Sequence, residues 1–416
     1  MDFLKRLTQG MGMGKSEPES CWRTPVVLDR GCLGDTGLAL DRRGRGSAVW
    51  ENGGRVWTMP IGPRSSPSLV RLPVGEGRAP RIELNLGGRG IALWQTDAAG
   101  ERCIQGKILG DGEGQSHTVF RTEGQIRHLQ AAVDRRGNAL MVWLLELEGR
   151  IEVMAGAFDA RGQAWNQEPM TLGIPTLADV APRIAVNHRE HAMVLWESSD
   201  DAFEGLVASH YWPSDRIWSD RPVPVVSHAT RHHQVAMDGS GNALALWVHA
   251  PYGQRWALEA SYYDALAAEW REPEVLSHAQ SFSIPRLVMS ETGEALAAWC
   301  QGEGHGPSRL FAKAFAKGAW ESGLEAFELG HGPVRDFAIG LGPAGQAGLL
   351  AVHHGAEGDW VSARLRQREW SAPVPLSPAS RQPCASPRLS LCPGGASAMW
   401  IQGQGAEQTL HLAETR

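Results

Sequence analysis

The segment AAVDRRGNALMVW, residues 131–143, decides the fold: an apolar run, an Asp-x-x-Gly turn, then a second apolar run ending in Trp. The same pattern recurs as LALDRRGRGSAVW (38–50), VAMDGSGNALALW (235–247), LVMSETGEALAAW (287–299), LSLCPGGASAMW (389–400) and, degenerately, IAVNHREHAMVLW (184–196). Its closing aromatic falls at Trp50, Trp94, Trp143, Trp196, Trp247, Trp299 and Trp400, with Val352 standing in once. A period of about 50 residues marks a repeat architecture. Each copy reads as strand, tight turn, strand: the Gly supplies a positive φ, and Asp41, Asp134 or Asp238 can accept hydrogen bonds from turn amides. Those aspartates are therefore turn residues and not catalytic carboxylates.

A third strand follows each inner Trp, as in IEVMAGAFDA (151–160) and LEASYYDA (258–265). An outer Trp then opens a fourth, at Trp165, Trp218, Trp270, Trp320 and Trp370. Four antiparallel strands per unit make a propeller blade, so the expected fold is all-β, a single β-propeller over residues 21–416 with residues 1–20 as a leader. Eight blades are counted, or seven if residues 38–80 do not complete one. The segment Trp22-Arg23-Thr24-Pro25-Val26-Val27-Leu28 matches the outer strands WREPEVL (270–276) and WSAPVPL (370–376), whereas the chain stops after a third strand, TLHLAE (409–414). The N-terminal outer strand is thus expected to complete the last blade, closing the ring and pairing edges otherwise open to aggregation.

The repeat resembles the Asp-x-x-Gly-Asn-Ala-(apolar)3-Trp unit of bacterial propeller-like proteins, best seen from Asp134 to Trp143, over nearly the whole chain. The resemblance implies a fold and no activity, because propellers host lectins, scaffolds, hydrolases and lyases alike. The spacing departs from the sialidase Asp-box, and the strand endings depart from WD40 and kelch repeats, so no functional residues carry over.

Composition narrows the function. The net charge of −6, from 40 basic and 46 acidic residues, argues against nucleic acid as a partner. No run of 18 apolar residues or secretory signal is present, which implies a cytoplasmic address. Six scattered Cys lack a Cys-x-x-Cys pair and read as reduced structural thiols. In the leader, Phe3, Leu4 and Leu7 share a helical face beside Lys5 and Arg6, so residues 1–14 offer a weak peripheral attachment segment.

Loops on a rigid scaffold are where binding usually resides. The face opposite the Asp-x-x-Gly turns carries an Arg at the opening of many inner strands: Arg81, Arg127, Arg183, Arg286, Arg335 and Arg388, four of them preceded by Pro. Pointing inward, they would rim the channel mouth as an anion site; alternatively each pairs with a neighbouring blade. Histidines expected in the same loops include His228, His232, His233, His249, His278, His305, His331, His353 and His354, of which His232, His233, His249 and His353 join the mouth as candidates. Loop carboxylates Glu146, Glu148, Glu197, Asp200, Asp201, Glu204 and Glu303 share that face. No nucleophile elbow, phosphate loop or compact His/Cys set occurs, so neither a cofactor nor a metal is expected. The expected function is a non-enzymatic protein-interaction or assembly module. The alternative is an enzyme or small-ligand binder, for an anion or carbohydrate, at the Arg-rimmed mouth.

Overall fold

The computed structural model describes residues 21–415 apart from 63–71, 99, 111–115, 160–161, 163, 201–202, 252–253, 304–307, 328–332, 344 and 368. The leader, His305, His331 and Asp201 lie outside the described residues. Eight antiparallel sheets follow one another: blade 1 (33–76), blade 2 (78–122), blade 3 (125–173), blade 4 (183–226), blade 5 (231–279), blade 6 (281–327), blade 7 (334–375) and blade 8 (384–414). The eight-bladed count holds, and the short first unit is a full blade. Outer strands are broken where Pro interrupts them, as in blade 4, where Ile217–Trp218 and Val223–Val226 pair in turn with the third strand Phe203–Trp212.

Blade 8 takes its outer strand from the other end of the chain. Val26–Arg30 pairs antiparallel with Thr409–Glu414, with Val26 opposite Leu412, and Trp22 bridges to Thr415. The closure is also a core contact: Met399, Ile401, Leu410 and Leu412 of blade 8 pack with Ala48, Trp50 and Met59 of blade 1. Trp22, 4% exposed, packs with Leu350, Val352 and Trp400 across blades 7 and 8.

The remaining interfaces repeat this scheme. All seven inner Trp are buried, and Val352 holds the equivalent place in blade 7. Trp196 and Trp218 of blade 4, for instance, pack against Leu140, Val142 and Ala155 of blade 3. Burying a large apolar side chain stabilises by about 2–3 kcal/mol, so packing the inner Trp of seven blades, with Val352 in blade 7, against neighbouring blades holds the ring together without disulfides. All six Cys are free. Among the described residues no helix is long and apolar enough to cross a membrane.

The turns behave as their sequence implies. Asp134, 2% exposed, accepts hydrogen bonds through Oδ1 from the backbone N–H of Arg136 (2.7 Å) and Asn138 (2.9 Å), while Gly137 takes φ 89°. In the degenerate blade 4 copy, Asn187 replaces Asp and Glu190 takes the glycine's left-handed conformation at φ 72°. These turns also join blades: Asn85 Nδ2 donates to the Asp134 carbonyl at 2.9 Å, and Asn187 Nδ2 to the Asp238 carbonyl at 3.0 Å.

Candidate functional site

Inner strands edge the central channel, and the register of each against its inner Trp shows which side chains are equivalent. The residue opposite the position just before that Trp is Gly37 in blade 1, Arg81 in blade 2, Gln130 in blade 3, Arg183 in blade 4, Gln234 in blade 5, Arg286 in blade 6 and Arg388 in blade 8. Phe337 holds the same place before Val352 in blade 7. Arginine therefore stands at this level in every second blade.

Arg81, Arg183, Arg286 and Arg388 line one cavity of about 420 Å³, together with Gln130, Glu83 and Phe337. Each guanidinium is tethered to an adjoining blade. Arg81 Nη1 lies 3.3 Å from Asp35, Arg286 Nη2 lies 3.7 Å from Asp336, Arg388 Nε donates to the Thr36 carbonyl at 2.9 Å, and Arg183 Nε to the His233 carbonyl at 3.4 Å. Lining the channel and pairing with a neighbour, posed by the sequence as alternatives, occur together.

The four charges are close enough to work against one another. Burial, followed by repulsion from Arg286 and Arg81, brings Arg183 down to about 10. Arg388 is lowered by burial and then by Arg81 and Arg286, partly offset by Asp35 and Asp336. Glu83, two residues along from Arg81, is pushed up to about 7 by desolvation against the pull of Arg81. Near neutrality the cavity thus presents four guanidiniums, two of them tethered to carboxylates of adjoining blades, and one carboxyl that gives up its proton only around pH 7. That balance attracts an anion: guanidinium forks match carboxylate, sulfate and phosphate, and a confined low-dielectric site strengthens the attraction.

The other two arginines of the expected rim do not join the cavity. Arg127 pairs opposite Leu144, beyond its inner Trp, and lies 2.8 Å from Glu146; Arg335 falls within a register shift and lies 3.5 Å from Asp359. The cause is a bulge that inserts residues between the mouth and the channel level. In blades 2, 3, 5 and 8 it contains a non-glycine residue at positive φ: Ala79, His128, His232 and Ser386. Such bulges re-aim the side chains on either side.

The expected mouth histidines also disperse. His233 is 1% exposed within the strand Arg231–Met237, and burial brings it down to about 3, so it is a neutral packing residue. His353, fully buried, stacks on Trp360 at 4.8 Å and meets the Ser362 hydroxyl at 2.8 Å. His232 is the bulge residue, and His249 ends the strand Ala243–His249 beside Glu259. Of the loop carboxylates, Glu146 is tied to Arg127, Glu197 accepts the Thr230 N–H at 2.6 Å, and Glu303 pairs with Arg255. Glu83 was not singled out by the sequence. Its signal is a carboxylate at a position of IEL (82–84) where blade 3 carries Ala132.

No family model and no curated protein matches the chain. Among solved structures, a polysaccharide lyase, an ulvan lyase described as bound to -[GlcA(1-4)Rha3S]-, is similar over 93% of this chain and 95% of its own, at TM-score 0.51 and 8% identity. A second structure of such a lyase has TM-score 0.50 with the same coverage and identity. A Hadza microbial sialidase is similar over 76% of this chain and 74% of its own, at TM-score 0.39 and 11% identity. At these identities the similarity describes the fold.

Proposed function

We propose that this protein is a ligand-binding β-propeller whose central channel takes a small polyanion or the acidic portion of a saccharide. The observation that carries the reading is the convergence of Arg81, Arg183, Arg286 and Arg388, from alternate blades, on one cavity. Four clustered cations in a partly desolvated place cost stability, and an occupant bearing two or more negative charges offsets that cost. A volume of about 420 Å³ suits a ligand of one or two sugar units or a compact polycarboxylate. The ulvan lyase of similar fold, described as bound to an acidic disaccharide repeat, supports the saccharide class. This reading is placed ahead of the interaction or assembly module expected from the sequence, because a concave, charged cavity fits a small ligand.

The test is calorimetric titration with glucuronate oligosaccharides, sulfated oligosaccharides and citrate at fixed ionic strength, using wild type and Arg81→Gln/Arg286→Gln. Binding by wild type that is lost in a folded variant supports the reading; equal binding by both, or none by either, overturns it.

A second reading is favoured by Glu83. A carboxyl near 7 beside anion-holding arginines is suited to exchange a proton with a bound acidic ligand, which makes acid–base turnover the enzymatic form of the same site. Loss of product formation in Glu83→Gln with ligand binding retained is the expected signature. Absence of product from wild type with any bound ligand would leave a binding protein.

A further inference from the structure

Blade 5 carries a side-chain cluster with no counterpart in the repeat. Glu259, on the strand Trp256–Asp264, stands opposite the inner Trp247. The residues opposite the inner aromatic in blades 1, 2, 3, 4, 6 and 8 are Trp57, Gln105, Met154, Val207, Phe311 and His411, and Val361 stands opposite Val352 in blade 7. A carboxylate at this place is therefore not required to build a blade. Glu259 is also 8% exposed, a costly location for a carboxylate without partners.

Its surroundings suit a cation. His228 Nε2 lies 3.1 Å from Glu259 Oε2, and His249 Nδ1 lies 3.4 Å from Oε1. One donor atom from each of the three residues falls within 4.8 Å of the others, the only such His/Cys/Asp/Glu group among the described residues. Zinc bonds of about 2.0–2.2 Å in a tetrahedron place neighbouring donor atoms about 3.3–3.5 Å apart; the two imidazole-to-carboxylate separations, each to a different oxygen, are near this, and the full donor set lies within 4.8 Å. The carboxylate is oriented by Trp247 Nε1, which donates to Oε2 at 2.9 Å, the outer hydrogen bond that commonly fixes a metal-ligating group. The two imidazoles stack with ring centroids 3.8 Å apart, which holds them side by side against the carboxylate. The His228 and His249 side chains are 31% and 27% exposed, leaving a path for entry and room for a water as a further ligand.

We propose that His228, His249 and Glu259 form a site for a divalent transition metal of the zinc class on blade 5. Two imidazoles and one carboxylate match the borderline preference of such ions, whereas calcium and magnesium favour all-oxygen sets. The three-residue set leaves a coordination position open, the pattern of sites that activate water or hold a ligand atom.

The experiment uses the full chain, freed of any affinity tag and stripped with chelator. It is titrated with Zn2+ against a competing indicator and with Co2+ while d–d absorption is followed, for wild type, Glu259→Gln and His228→Ala/His249→Ala. Wild type is expected to take one equivalent of Zn2+ and to give the intense bands of four- or five-coordinate Co2+. The double variant should lose at least about a hundredfold in affinity together with the bands. Unchanged affinity and stoichiometry in the variants, or no uptake by wild type, would overturn the site. If the double variant melts early, His228→Ala alone decides, since His228 lies between strands and not within one; anomalous scattering from a zinc-soaked crystal locates the ion directly.

Discussion

Replacing Arg183 by Met should make the protein more stable while depriving it of its ligand. The drop of Arg183 from 12.5 to about 10 corresponds to about 3 kcal/mol for keeping it charged, chiefly because it is buried and then because of Arg286 and Arg81. Because the cavity admits solvent and the Nε contact to the His233 carbonyl is lost, a net gain of about 1–2 kcal/mol is the reasonable expectation. The sign follows from linkage: with the folded-state value below the unfolded one, the cost is fully present below pH 10 and is relieved only as pH rises from about 10 toward 12.5. At neutral pH the whole penalty applies. An unfolding entropy of about 2.1 cal/mol/K per residue over 416 residues gives roughly 0.9 kcal/mol/K, so Tm should rise by about 1–2 °C. Scanning calorimetry at pH 7.5 reads this directly, and a saturating polyanion at constant ionic strength should raise Tm in wild type and not in the variant. A variant that melts lower by more than about 1 °C would show Arg183 to be a structural tether and refute the argument.

Three further outcomes are expected. Glu83, whose folded-state value is raised to about 7, loses stability as pH rises from 4.5 to 7; Glu83→Gln should match wild type at pH 4.5 and exceed it by about 1–3 kcal/mol at pH 8 in urea melts. In wild type, anion affinity should also fall as pH rises through 7 and Glu83 becomes charged, and titrations across that range should show the fall flattened in Glu83→Gln. Asp134→Ala leaves the N–H groups of Arg136 and Asn138 without their acceptor and should cost about 2–4 kcal/mol, whereas Asp134→Asn should cost about 1, as the working Asn187 turn implies.

The repeat made the ring legible because its signals are local: turn glycines, strand-ending Trp and the matching outer strand at 22–28 all lie within short windows. The channel was only half legible. Grouping arginines by their distance along the chain mixed Arg127 and Arg335 with the four that line the cavity, because bulges change the number of residues between the mouth and the channel level. A local signal did separate them: Arg81, Arg183, Arg286 and Arg388 each follow a Pro, and Arg127 and Arg335 do not. His233 and His353 appeared loop-like because an isolated His carries no periodicity, yet both sit inside sheets. The cluster of His228, His249 and Glu259 was legible only in part: both histidines stood out as loop residues, but Glu259 joins them through the pairing of Trp256–Asp264 with Ala243–His249, which sequence spacing does not show.

The way blade 8 is completed also sets an order of events. Val26 is made long before its partner Leu412, so the first strand has nothing to pair with while the intervening blades are being synthesised. Blades 1 to 7 are built from neighbouring hairpins and can form as they emerge, while the docking of Val26–Arg30 on Thr409–Glu414 spans all seven of them. Because the entropic cost of closing a loop grows only with the logarithm of its length, that last step is thermodynamically cheap once the arc is curved. Until then the nascent arc presents Val26 and Val27 with an open strand edge, and this interval is when a chaperone, or a second unfinished copy, can intervene.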